Sequence, residues 1–291
     1  MKFKKSVLIL VVMIIVFSTL SCILGLFSSK GGDPYDFLSI GGESIKIFGS
    51  GLYKNDSISA VAQGQASDLV TLILAIPLLT ISLIQSYRGS IKARLILTGT
   101  LGYFLYTYMS YTFLWMYNPL FIVYVLVMSA SLFAFILSIL SFDIEKMPTL
   151  FSDQLPTRFL GGFQLFIAFG IGMLWLAKIA PTIINNTIPL GLEHYSTLVI
   201  QGMDLGFVVP AATLSGILLI KRKPLGYLLS SIIIIKGITM LTCISAMIVN
   251  SMLKGITISI VEIVIFSFFN LVAVVCLIVL LKNTKNLSEV N

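Results

Sequence analysis

Residues 225–249 read LGYLLSSIIIIKGITMLTCISAMIV, twenty-five positions with a single charge, Lys236. About 20 apolar residues in a helix cross the roughly 30 Å hydrocarbon layer of a bilayer. No water is available there to satisfy free backbone groups, so such a stretch must be helical. Working outward, seven more stretches have this character, at approximately 6–27, 68–87, 95–116, 119–141, 160–180, 199–220 and 256–281. The expected fold is all-α: a polytopic transmembrane bundle of about eight helices in a single membrane domain, 1–291. Period-2 alternation with turn signals is absent, which excludes a β-barrel.

Composition agrees. Hydrophobic residues make up 57% of the chain and charged residues 11%, against roughly 25% charged in a soluble chain. That excludes a soluble enzyme, a disordered chain and a disulfide-stapled secreted domain. The net charge of +7 belongs to membrane topology rather than to nucleic acid, because basic loops set orientation. With the N-terminus inside, 13 Lys and Arg fall on the inner side and 5 on the outer. Both termini are therefore expected in the cytoplasm. Cys22, Cys243 and Cys276 lie in apolar stretches without a C-x-x-C pair, which argues against a structural disulfide or thiol-redox centre.

The first span follows a basic start, Met1 to Lys5, and has the outline of a signal peptide. Its apolar run continues past Cys22 to Phe27, long for a signal core, which favours an uncleaved span. The longest loop, 28–67, lies on the outer side. It opens with Gly and Ser and then carries Phe37, Leu38, Ile40, Ile45, Ile47 and Phe48. Those apolar side chains predict a packed extracytoplasmic cap. Asp56 is the expected N-cap of a helix that runs on into the second span.

Two segments match. Pro77-Leu-Leu-Thr80-Ile-Ser82 precedes Arg88, and Pro210-Ala-Ala-Thr213-Leu-Ser215 precedes Lys221 at the same distance. The constant offset points either to a parallel four-plus-four duplication, split within 142–159, or to two helices built alike by convergence. Transporter folds are often built from such repeats, with sites at the repeat interface. A proline within a helix frees a carbonyl and kinks the chain, so Pro77 and Pro210 are hinge candidates.

Intramembrane charge is costly and marks function or a buried pair. Lys236 lies about 11 residues, roughly 16 Å, from the inner end of its span. Asp204 and Glu262, in neighbouring spans, are its candidate partners. Gln201 and Asn270 add polar groups. These five form the candidate substrate or ion site, or else the structural glue of the bundle. Tyr103, Tyr106, Tyr108 and Tyr111 make tyrosine stripes that either line a solute path or pack. Gly161, Gly162, Gly170 and Gly172 allow close helix approach, with Gln164 bonding across it. His194, the only histidine, sits in the outer loop beside Glu193 and reads as a loop residue. No metal or cofactor site is expected, and the nucleotide loop, zinc-protease and serine-hydrolase motifs are absent.

The stretches Asp68-Leu-Val-Thr-Leu, Gly102-Tyr-Phe-Leu-Tyr-Thr-Tyr-Met-Ser-Tyr and Gly191-Leu-Glu-His-Tyr resemble those of bacterial multi-spanning membrane proteins with no assigned activity. The resemblance implies a bacterial inner membrane and transfers no site residue. The expected function is a small-solute or ion transporter, permease-like, working against the lipid bilayer on a small solute, an ion or a proton. The alternative is a non-catalytic scaffold or sensor subunit with structural charges. No nucleic-acid partner is expected.

Overall fold

The computed structural model describes residues 2–189 and 191–285; the extreme ends of the expected 1–291 domain lie outside them. Eight long helices carry the fold: α1 Lys4–Phe27, α2 Ile58–Tyr87, α3 Ile91–Phe113, α4 Phe121–Leu140, α5 Thr157–Asn185, α6 Val199–Ile220, α7 Pro224–Leu253 and α8 Ile260–Lys282. Seven are long and apolar enough to span a membrane, so the chain is a multi-pass membrane protein. The eighth, α3, has the length but carries Thr98, Thr100, Thr107 and the four tyrosines. It is also the most enclosed helix, packed on α2, α4 and α7.

The helices form two groups. In the first, α1 lies along both α2 and α4, and α3 packs between α2 and α4. In the second, α6 packs on α5 and α7, and α8 packs on α7. The groups meet where α7 crosses α2 and α3. Gly99 makes the α3–α7 crossing close: a Cβ there would stand 2.5 Å from the Ile235 side chain and 3.2 Å from the Ile232 carbonyl.

The match between the two segments extends to the backbone. Thr71–Ala75 in α2 and Asp204–Val208 in α6 are both π-helical, and they are 133 residues apart at each end. Each precedes its proline by two residues. A proline ring cannot donate and clashes with the carbonyl four residues back. The turn before it therefore widens, and Ile76 N–H reaches the Thr71 carbonyl just as Val209 N–H reaches that of Asp204. The following turn keeps the offset too: Gly89 and Arg222 both have positive φ, at 95° and 51°. Beyond it, α3 and α7 start at equivalent positions, Ile91 and Pro224. Pro77 and Pro210 both point outward, away from the packed faces.

Residues 28–57 fold over one end. Tyr35–Leu38 (β1) pairs antiparallel with Ser44–Ile47 (β2), Tyr35 opposite Ile47 and Leu38 opposite Ser44. Ile45 and Ile47 turn inward and are buried. The helix after the hairpin begins earlier than the expected span 68–87, at Ile58, and Ser57 rather than Asp56 caps it. The Ser57 hydroxyl accepts from Ala60 N–H at 3.1 Å. Ten residues of the segment 28–67 are thus the outward extension of α2.

Candidate functional site

Asp204 opens the π segment of α6 and is held by two donors from other helices. Tyr106 of α3 donates its hydroxyl to Oδ1 at 2.7 Å, and Trp175 of α5 donates its indole N–H to Oδ2 at 2.8 Å. Lys236 of α7 lies on the same tyrosine, its Nζ 4.0 Å from the ring centroid. One tyrosine therefore carries a carboxylate at its edge and an ammonium on its face. Both arrangements are favourable: a charge-assisted hydrogen bond and a cation–π contact. Along their helices the four residues stand roughly 18–27 Å from the basic end, within the middle and outer parts of a layer roughly 30 Å thick.

The acid and the amine do not form an ion pair. The sole ion pair among the described residues is Lys146–Asp143, exposed at the opposite end from the cap. Asp204, Lys236, Tyr106 and Trp175 are all half-buried, and the π segment from Asp204 to Val208 contains no fully buried residue. Around them the second helix group is less closed than the first. While α1 and α4 pack along each other, α5 and α8 share no such face and meet at the Phe166–Phe269 ring pair, 5.9 Å between centroids.

The other sequence candidates lie apart. Glu262 is the fourth member of a capping box at the start of α8: Ser259 and Glu262 exchange bonds with each other's backbone, and Glu262 is exposed. It serves the helix end and does not reach Lys236. Asn270 donates to Ser245 at 3.0 Å, tying α8 to α7. Gln201 stands half-buried one turn outward of Asp204. Tyr106 stands out in the sequence only as a stripe residue; its convergence with Trp175 on Asp204 is long-range and leaves no local pattern.

Asp68 is an intramembrane acid that the sequence does not single out, because it is the first residue of the expected span 68–87. With α2 beginning at Ile58, Asp68 lies three turns in and is fully buried. Tyr53 of the cap donates to its Oδ2 at 2.6 Å and Tyr111 of α3 to its Oδ1 at 2.9 Å. This group fastens the cap onto α2 and α3. Tyr108, Tyr111 and Tyr124 pack ring against ring beside it, with centroids 5.3–6.2 Å apart.

The outer seam is polar as well. Asp56 Oδ1 accepts from Met116 N–H at 3.0 Å and from the Tyr195 hydroxyl at 3.1 Å. Burial pushes this carboxyl up to about 7, opposed by those two bonds and aided by the neighbouring charge of Glu193. His194 contacts the Asn55 carbonyl through Nε2 at 2.9 Å and stacks on Tyr195, so it seats the α5–α6 loop on the cap. Among the described residues no three His, Cys, Asp or Glu side chains stand together as a metal site.

No family model, no curated protein and no solved structure matches this chain.

Proposed function

We propose that this chain is a bacterial inner-membrane transporter or permease-like protein for a small solute or ion, with the group Asp204, Tyr106, Trp175 and Lys236 as its binding site. The observation that carries the reading is that Asp204 and Lys236, both within membrane-spanning helices and both on Tyr106, close no ion pair with each other. Opposite charges with a purely structural role gain most by closing into a hydrogen-bonded pair. Here each is oriented by aromatic groups instead, and each stays half-buried. The position fits a repeat-built carrier, whose sites lie near the midplane on discontinuous helices. The end opposite the cap carries most of the Lys and Arg and is read as cytoplasmic, which puts both termini and the 141–156 connection inside.

The test is access. Lys236→Cys is made in a variant in which Cys22, Cys243 and Cys276 are replaced by Ala, and folding is checked by size-exclusion in detergent. A membrane-impermeant thiol reagent is then applied to sealed vesicles of each orientation. Labelling from one side is the expected result. Protection from both sides until denaturation would turn the reading toward a scaffold or sensor subunit with structural charges.

A further inference from the structure

We propose that the Asp204–Lys236 site takes a small zwitterion, a compact solute carrying one ammonium and one carboxylate. The inference rests on the binding-site reading above and names what the site selects.

Three observations lead to it. The first is the unused capacity of Lys236. An ammonium has three donors, and among the described residues this one makes no hydrogen bond and has no carboxylate within 4.0 Å; it lies over the face of Tyr106. Donors of that kind inside a membrane protein suit a carboxylate. The second is Asp204. Its two oxygens are fixed by one donor each, and each oxygen retains a lone pair for a further donor such as a ligand ammonium.

The third comes from the repeat. The offset of 133 that aligns the π segments places Thr71 on Asp204 and Tyr103 on Lys236. In the first helix group the equivalent pair closes directly: Thr71 Oγ1 and Tyr103 OH are 2.9 Å apart, and both residues are buried. In the second group the same two positions carry an acid and an amine, and these make no hydrogen bond or ion pair with each other. The chain thus holds a directly bonded neutral pair and an unbonded acid–amine pair at matching positions.

Charge balance selects the ligand class. A lone cation at Asp204 would sit beside Lys236, and a lone anion at Lys236 would sit beside Asp204. In a low-dielectric site each leaves one charge uncompensated, which is costly. A zwitterion laid across Tyr106 pairs both charges, carboxylate to Lys236 and ammonium to Asp204. The aromatic surfaces of Tyr106 and Trp175 cover its carbon skeleton.

The test uses the purified full-length chain in detergent. The probes are the twenty common α-amino acids, glycine betaine and γ-aminobutyrate. Each amino acid is compared with its carboxyl-amide and its N-acetyl derivative, which keep one charge only. The readout is the thermal unfolding midpoint at high probe concentration, followed by titration of any probe that raises it. The expected result is that at least one zwitterion raises the midpoint and both of its singly charged derivatives fail to. Lys236→Met and Asp204→Asn should each weaken that binding at least about tenfold, the scale of a lost charge-assisted bond, while Glu262→Gln leaves it unchanged. If either variant fails to fold, Tyr106→Phe replaces it; it keeps the ring under Lys236, frees Asp204 from one donor and should weaken binding several-fold. A panel in which no zwitterion binds, or in which a singly charged derivative binds as well as its parent, overturns the proposal. Uptake into proteoliposomes separates the two readings. Binding without uptake removes transport and keeps the zwitterion site, whereas uptake of singly charged solutes alone keeps transport and removes the zwitterion.

Discussion

Gly25 of α1 lies directly against the carboxylate of Asp68 in α2, so closely that a methyl group at position 25 would overlap Oδ2 and crowd the Tyr53 hydroxyl. The absence of a side chain on one helix is what lets a fully buried acid on the next keep both of its tyrosine donors. The carboxylate has no cationic partner among the described residues, so its hydrogen bonds carry its whole accommodation in the core.

Gly25→Ala is therefore expected to destabilise the protein by about 1–3 kcal/mol, the usual cost of overpacking. Asp68 must turn away, and the Tyr53 bond that fastens the cap goes with it. Thermal unfolding in detergent measures the loss. Limited proteolysis locates it, because cleavage within residues 28–57 should rise ahead of cleavage in the helices. An unchanged melting midpoint and an equally resistant cap would mean that the carboxylate is free to move.

The Asp56 seam makes the cap sensitive to pH. An exposed aspartate ionises near 3.9, whereas burial raises docked Asp56 to about 7. Between those values the docked state binds more protons than the undocked one, so docking loses stability as pH rises from about 4 to about 7 and is level on either side. Glu193, His194 and Tyr195 face the same seam, so the readout is the difference between wild type and Asp56→Asn. Amide exchange at Met116 should speed up relative to the variant as pH rises through that window, after correction for intrinsic exchange. Parallel pH profiles would remove Asp56 from control of the cap.

Much of the fold is legible in the sequence because a bilayer allows few solutions. Apolar length marks the helices, and the Pro77 and Pro210 segments announce two like helices. Site partners are less legible. Lys236 and Asp204 stand out as charges in apolar runs, but Tyr106 and Trp175 join them only through packing of α3 and α5 against α6 and α7. Glu262 misleads for a physical reason: an acid in the first turn of a helix reads as intramembrane by position and works as a cap. Asp68 escapes notice because it opens the apolar run: the sequence marks a helix from Asp56, but hydropathy alone starts the membrane-spanning part at 68, ten residues after the helix begins at Ile58.

The glycines of α5 show the same division. Gly161 faces Gly216 of α6, where a Cβ would stand 2.7 Å from its carbonyl, and Ser215 donates to Gln164 across the contact. Gly162 and Gly170 meet nothing within 4 Å. Gly161→Ala should cost about 1–3 kcal/mol by forcing α5 and α6 apart. Gly170→Ala should be neutral or stabilising by up to about 1 kcal/mol, from better helix propensity alone. Equal effects at the two positions would show that the Gly161–Gly216 approach does not set the helix separation.

Tyr106 and Trp175 share one acceptor, so their contributions should not add. Tyr106→Phe or Trp175→Phe leaves Asp204 with one donor, and the cost is about 1–2 kcal/mol for an interhelical bond in a membrane. The double variant leaves a half-buried carboxylate with none of its hydrogen-bond partners, and its cost should exceed the sum of the single costs. A double-mutant cycle of unfolding free energies reads the coupling. Trp175 also gives an optical check: with Trp115→Phe it is the only indole in the chain, and Asp204→Asn should shift its emission by changing the charge on its N–H partner. Additive costs together with an unmoved emission would mean that Asp204 is held by its own helix and not by the two aromatic donors.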